Sequence, residues 1–161
     1  MNCIEMDTPL GSMLIADRGD GLAGLWFADQ RHLPPGLDSW PRAETALLAS
    51  AREQLGEFFA GRLQCFDLPL AAAGTIFQQA VWRCLQTIPY GARSSYGQIA
   101  ESLGKPSASR AVGMAVGRNP WSIVVPCHRV VGSDGQLTGY AGGLERKRWL
   151  LALEAERHHT A

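Results

Sequence analysis

Apolar residues fill three short runs near the start of the chain, at 3–7, 12–17 and 22–27, and the breaks between them are Pro9-Leu10-Gly11 and Asp20-Gly21. Short apolar runs bounded by such residues predict strands, and Asp-Gly is a strong hairpin signal. The pattern therefore predicts a small antiparallel sheet. Arg31–Pro41 carries three prolines and a glycine and reads as a loop. From Ala43 to Phe59 the period changes: Leu47, Leu48, Ala51, Leu55, Phe58 and Phe59 fall on one side of a helix that ends at Gly61.

After Leu70–Gly74 the pattern becomes mainly helical, so the chain divides into a structural α/β domain at 1–72 and a second domain at 73–161. Thr75-x-x-Gln78 has the form of a capping box and precedes a stripe of Phe77, Ala80, Val81, Cys84, Leu85 and Ile88, which places Cys84 in the core. Ser95-x-x-Gln98 opens a second helix to Leu103. Gly104-Lys105-Pro106 turns the chain, and Ser107 is suited to cap a third helix reaching about Gly117. Helix, short turn, helix is a helix-turn-helix pattern. The third helix offers Arg110 with Ala111, Gly113, Ala115 and Gly117, a face of one large cation and otherwise small side chains. That spacing suits a nucleic-acid groove or close helix packing equally.

Ile123-Val124-Val125 reads as a short buried strand, which Pro126 stops because it has no N–H to donate. Cys127 and His128 would then sit at a strand end. Asp134-Gly135 predicts a hairpin turn, and Thr138–Gly143 a flexible loop without the Lys-Ser or Lys-Thr of a phosphate-binding loop. The last helix is predicted from Leu144 to Arg157, with a basic start at Arg146, Lys147 and Arg148. Glu154 follows Leu150 and Leu151 by four and three residues, so it shares their apolar stripe and needs a partner there. His158 and His159 read as a solvated tail.

At 161 residues the chain can bury a real core, and its four cysteines include no C-x-x-C pair, which indicates neither a disulfide framework nor a zinc ribbon. No apolar run is long enough for a membrane span, and Met1–Gly11 lacks the order of a signal peptide, so a cytoplasmic protein is expected. The net charge is zero, but residues 1–74 carry −5 and residues 75–161 carry +5. A polyanion would be drawn to the second half.

A thiol attacks as thiolate, and at its reference pKa of about 8.5 it is mostly protonated at neutral pH. His128 can take that proton directly or through a water, and Glu154 on the other ring nitrogen would fix the tautomer. A Cys-His pair alone is more often an inert buried cysteine beside a histidine. The wider pattern decides: Pro126-Cys127-His128-Arg129-Val130 resembles the active-site signature of the O6-alkylguanine-DNA alkyltransferases, also called methylated-DNA–protein-cysteine methyltransferases. Tyr96-Gly97-Gln98, Arg110-Ala111-Val112-Gly113, Asn119-Pro120, Gly139–Gly143 and Trp149–Glu154 resemble that family's other motifs, in its order.

The resemblance implies an α+β protein: a ribonuclease-H-like N-terminal domain followed by a winged-helix domain that enters the DNA minor groove. It implies irreversible, single-turnover transfer of the alkyl group from O6-alkylguanine, and from O4-alkylthymine, to Cys127. Arg110 would replace the extruded nucleotide in the stack, and Tyr96 would press on its phosphate and donate a proton to the base. Asn119 would brace the turn before the active site. Gly97, Lys105, Ala111 and Ser133 would touch DNA; Val130, Tyr140, Ala141 and Gly142 would line the pocket. The resemblance also implies no cofactor, no membrane and a monomer in solution, with cooperative binding on DNA left open. Some relatives hold zinc in the first domain, but Cys3 and His32 lack the further ligands, so no metal is expected. Ser122 and Ala141 stand where some members carry proline and serine, which suggests a roomier pocket. Three rivals remain distinguishable: a cysteine-free lesion sensor, a thiol hydrolase and a DNA-binding regulator.

Overall fold

The computed structural model describes residues 1–160, with side chains described through Arg157, so the expected tail at His158 and His159 lies outside the described side chains. The chain forms two compact units, Met1–Ala73 with Pro120–Val124, and Gly74–Asn119 with Val125–Ala161. The first is built on a three-stranded sheet with one long helix and the second mainly on helices, giving the expected α+β class.

In the first unit β1 (Asn2–Thr8), β2 (Gly11–Asp17) and β3 (Leu22–Phe27) make an antiparallel sheet in sequence order. Period-two alternation fades in β2 and β3, where Met13–Asp17 and Gly24–Phe27 are buried almost throughout. Helix α1 (Ala46–Phe59) is capped by Thr45, whose hydroxyl accepts from Leu48 N at 3.1 Å, and buries Leu48, Ala51, Leu55 and Phe58. The three large ones, Leu48, Leu55 and Phe58, contribute roughly 1.5–3 kcal/mol each. Gly21, at φ +154°, is required by crowding: a Cβ there would lie 2.7 Å from Ala71 N, where the chain pairs with β3 at Leu22. Pro120–Val124 extends the same edge, with Leu25 N donating to Pro120 O at 2.8 Å and Ser122 N to Leu25 O at 3.1 Å.

The second unit is mainly helical. Both predicted capping boxes form, Thr75 with Gln78 opening α2 (Ile76–Gln86) and Ser95 with Gln98 opening α3 (Tyr96–Ser102). Cys84 is only half-buried, its sulfur 3.3 Å from the Ser102 hydroxyl, because it lies at the edge of the stripe that buries Val81, Trp82 and Leu85. Gly104, at φ 72°, ends α3 in a Schellman motif: Lys105 N donates to Ala100 O and Gly104 N to Glu101 O, both at 2.9 Å. The following turn runs one residue further than its composition suggests. Ala108, not Ser107, is the cap residue of α4 (Ser109–Gly117), with no side-chain cap bond. Val112, Ala115 and Val116 face inward, and Arg110 and Ala111 are exposed. The short strands β4 (Ser94–Ser95) and β5 (Val130–Val131) pair in parallel. Asp134-Gly135 makes its turn, tied by Gly132 N to Gln136 O at 2.8 Å. Helix α5 runs from Leu144 to Thr160, and among the described residues no helix is long and apolar enough to cross a membrane.

Candidate active site

The backbone approaching Cys127 is bent twice, which replaces the strand predicted for Ile123-Val124-Val125. Ile123 takes φ 74°, a value β-branched residues rarely adopt, and Val124 N donates to Ser122 O at 2.9 Å. Pro126, at φ −81° and ψ 65°, forms an inverse γ-turn closed by Cys127 N to Val125 O at 2.8 Å. Cys127–Arg129 is then a single 3-10 turn that feeds β5. The thiol therefore starts a turn, with the side chains of three consecutive residues directed into the interior: Cys127 is 6% exposed, His128 0% and Arg129 6%.

Burial pushes the Cys127 thiol up, and several groups oppose it: a hydrogen bond from the Asn119 side chain, the charge of Lys147, and the main-chain N–H groups of Cys127 and His128. Asn119 follows α4 and is itself buried, its Nδ2 donating to Val125 O at 2.8 Å. One side chain thus holds both the carbonyl before the γ-turn and the sulfur after it. Lys147, on α5, is fully buried and donates from Nζ to Thr138 O at 3.0 Å. Burial lowers its pKa to about 8, and Cys127 raises it in turn. An ammonium and a thiolate facing each other in low dielectric favour each other's charged forms.

On the other side of the turn, His128 Nε2 meets Glu154 Oε2 at 2.5 Å. Burial lowers the His128 pKa, Glu154 raises it, and Arg129 and Lys147 lower it further, so the imidazole is neutral at physiological pH. A neutral ring that donates from Nε2 to a carboxylate carries its lone pair on Nδ1. That atom is buried without a hydrogen-bond partner among the described residues. Glu154 also accepts from Arg129 Nε at 2.8 Å, Arg129 Nη2 at 3.0 Å and Gly91 N at 3.1 Å. Burial would raise its pKa, but the bonds from His128 and Arg129 outweigh that and hold it at about 2.

Of the residues singled out from the sequence, Cys127, His128, Asn119 and Glu154 form one connected cluster, with Val130 directly after it on β5. Tyr96 opens α3 and shares a 2.7 Å hydrogen bond with the Thr138 hydroxyl, and its ring lies against Gly113 of α4. Tyr140 is buried, while Ala141 and Gly142 are half-buried in the loop before α5, where Gly142 O accepts from Arg146 at 3.1 Å. Arg110, Ala111, Lys105 and Ser133 are exposed and Gly97 is half-exposed, all outside the buried cluster. Ser122 belongs to the first unit, where its hydroxyl is directed to Gln30 at 3.4 Å. Among the described residues no three His, Cys, Asp or Glu side chains group at metal-binding distance.

Three participants escaped the sequence reading. Lys147 belongs to the basic start of the last helix, yet it precedes Leu150, Leu151 and Glu154 by three, four and seven residues and so lies on their stripe. Arg129 and Thr138 had no local signal, since their partners are far away in sequence.

Two family models match the chain: "6-O-methylguanine DNA methyltransferase, ribonuclease-like domain" over residues 1–72, and "6-O-methylguanine DNA methyltransferase, DNA binding domain" over residues 76–156. A methylated-DNA–protein-cysteine methyltransferase of Mycolicibacterium paratuberculosis is 53% identical over 97% of this chain and 93% of its own length. One from Methanosarcina acetivorans is 47% identical over 92% and 94%. Among solved structures, Mycobacterium tuberculosis OGT in complex with DNA superposes with a TM-score of 0.90 at 46% identity, covering 98% of this chain and 94% of that one.

Proposed function

The chain belongs to the 6-O-methylguanine DNA methyltransferase family, and on that basis we infer that it repairs double-stranded DNA by direct reversal, moving the alkyl group from O6 of guanine, and from O4 of thymine, to the sulfur of Cys127. The observation that carries this reading is the polarity of the buried turn. Cys127 has a hydrogen-bond donor and a cation beside it, and His128 next to it is a neutral base with its open nitrogen fixed by Glu154.

Cys127 loses its proton to His128 Nδ1 through a bridging water, and Lys147 and Asn119 stabilise the thiolate. The sulfur then attacks the saturated carbon of the adduct. The S–C bond forms as the C–O bond breaks, and the electron pair stays on the base. A proton from the Tyr96 hydroxyl, which shares a hydrogen bond with Thr138, neutralises that base, and the thiol proton held on His128 Nδ1 returns through solvent to the phenolate, so that no net charge remains. No tetrahedral oxyanion arises, so no oxyanion hole is needed. The product is a thioether, which water does not cleave, so each molecule acts once.

A stacked guanine cannot present O6 to a buried thiolate, so the nucleotide must leave the helix. Helices α3 and α4 are suited to this in the minor groove: Ala111, Gly113 and Gly117, the small residues of α4 that are not buried, permit close approach, and exposed Arg110 can fill the gap in the stack. Gly97, Lys105, Ala111 and Ser133 would line the backbone path, and Val130, Tyr140, Ala141 and Gly142 the base pocket. In this reading residues 73–161 carry the chemistry and 1–72 support it, one cytoplasmic monomer acting per lesion. The test is a titration of O6-methylguanine duplex against protein. Repair should stop at one lesion per molecule; sustained turnover, or no repair at any ratio, would overturn the reading.

A further inference from the structure

Glu154 serves two buried groups at once. Its Oε2 faces His128 Nε2 and Arg129 Nη2, and its Oε1 faces Arg129 Nε and Gly91 N. The guanidinium is fixed independently of the carboxylate: Nη1 donates to Ile88 O at 2.7 Å, and the group lies 5.6 Å from the centre of the Tyr90 ring. Side-chain exposure is 8% for Arg129, 1% for Glu154 and 0% for His128, so solvent screens none of these charges.

Charge counting in that space has one outcome. The carboxylate and the guanidinium cancel, so His128 gains nothing by holding an extra proton and stays neutral. Remove the guanidinium and the carboxylate is a lone buried anion. The nearest group able to neutralise it is His128, which would then rest as imidazolium. Its Nδ1 would already carry a proton and could not take one from Cys127. We propose that Arg129 is a positioning residue of alkyl transfer: by neutralising Glu154 it keeps His128 Nδ1 free to accept the thiol proton.

The other groups facing His128 support this. Lys147 and Glu154 come from α5, Cys127 and Arg129 from its own turn, and Tyr90 approaches from the segment after α2. Arg129 and Lys147 both disfavour imidazolium, and Glu154 alone favours it. Tyr90 offers no charge, because burial and Glu154 push its phenol up.

The inference rests on the reading of Cys127 as alkyl acceptor, so its test has one arm that needs no alkyl transfer. In that arm, nitrogen-15 NMR follows the ring of His128 from pH 6 to 9. The parent protein should show a neutral, Nε2-protonated ring throughout; imidazolium at pH 7 in the parent would overturn the proposal, whatever the variants do. Arg129→Met should raise the His128 midpoint by about one to three pH units, the usual effect of an uncompensated opposite charge in contact. In the second arm, single-turnover methyl transfer is measured against pH. The low-pH limb of Arg129→Met should move up by the same amount and the rate should recover at high pH. Arg129→Lys, which keeps the charge, should restore most of the parent profile. A drop of equal size at every pH, with an unchanged His128 titration, would mean that Arg129 only supports the fold. Absence of transfer in the parent, with the NMR as expected, would instead refute the alkyl-acceptor reading.

Discussion

Replacing Glu154 with Gln keeps the shape of the side chain and removes its charge, which makes it a sharp probe of the buried cluster. The carboxyl pKa falls from 4.5 to about 2 on folding, equivalent to about 3 kcal/mol of stability. Because the folded-state value is depressed, that contribution is complete above pH 4.5 and is lost as pH falls through about 2. An independent estimate agrees: removing one partner of a buried ion pair costs about 3–5 kcal/mol, since the Arg129 guanidinium is left uncompensated. Glu154→Gln should therefore lose about 3–4 kcal/mol at pH 7. For a chain of this size that lowers the melting temperature by about 10 °C. Urea unfolding followed by circular dichroism at several pH values measures it. The gap between parent and variant should narrow as pH drops from 4.5 toward 2. A difference below about 1 kcal/mol at pH 7, or a gap that does not change with pH, would refute the argument. Alkyl transfer should fall by about 10²–10⁴, because His128 loses the group that fixes its tautomer.

Lys147→Met should do the opposite for stability, since it deletes a buried cation whose pKa burial has lowered to about 8. We expect unchanged or higher stability, by about 1–2 kcal/mol, together with slower methyl transfer; urea unfolding and single-turnover rates check both. Arg110→Ala removes an exposed side chain of α4, so folding should be unaffected. Repair of duplex should slow by about 10-fold or more, the cost of an unfilled stack, while reaction with free O6-alkylguanine base should not change. With Ala141 in place of serine, ethyl and benzyl adducts should be accepted, and Ala141→Ser should slow the benzyl adduct more than the methyl one, in side-by-side rate measurements.

The elements most legible in the sequence were those whose cause is local. Three strands, both capping boxes and the turn at Gly104 follow from residues within a few positions of one another. Cys127, His128 and Glu154 could be proposed because a thiol, an imidazole and a stripe-facing carboxylate each carry a recognisable need. Bent backbone was not legible: Ile123-Val124-Val125 has strand composition, but Pro120 and Ser122 just before it make the bonds to Leu25 of β3, and the stretch itself turns through Val124 N to Ser122 O and Cys127 N to Val125 O, with Asn119 holding the Val125 carbonyl. Ser107 lost its capping role to a turn one residue longer. Lys147 and Arg129 were missed for a different reason. Cations are rarely buried unless paired, and their partners, Thr138 O and Cys127 for one, Glu154 and Ile88 O for the other, lie 9 to 41 residues away.

The central claim is that Cys127 is the atom on which the alkyl group ends. Intact mass measurement of the protein after incubation with an O6-methylguanine duplex addresses it directly, with peptide mapping to locate the change. The protein should gain one methylene, located on Cys127, and Cys127→Ser should gain none. An unchanged mass, or a methyl group on any other residue, would contradict the account.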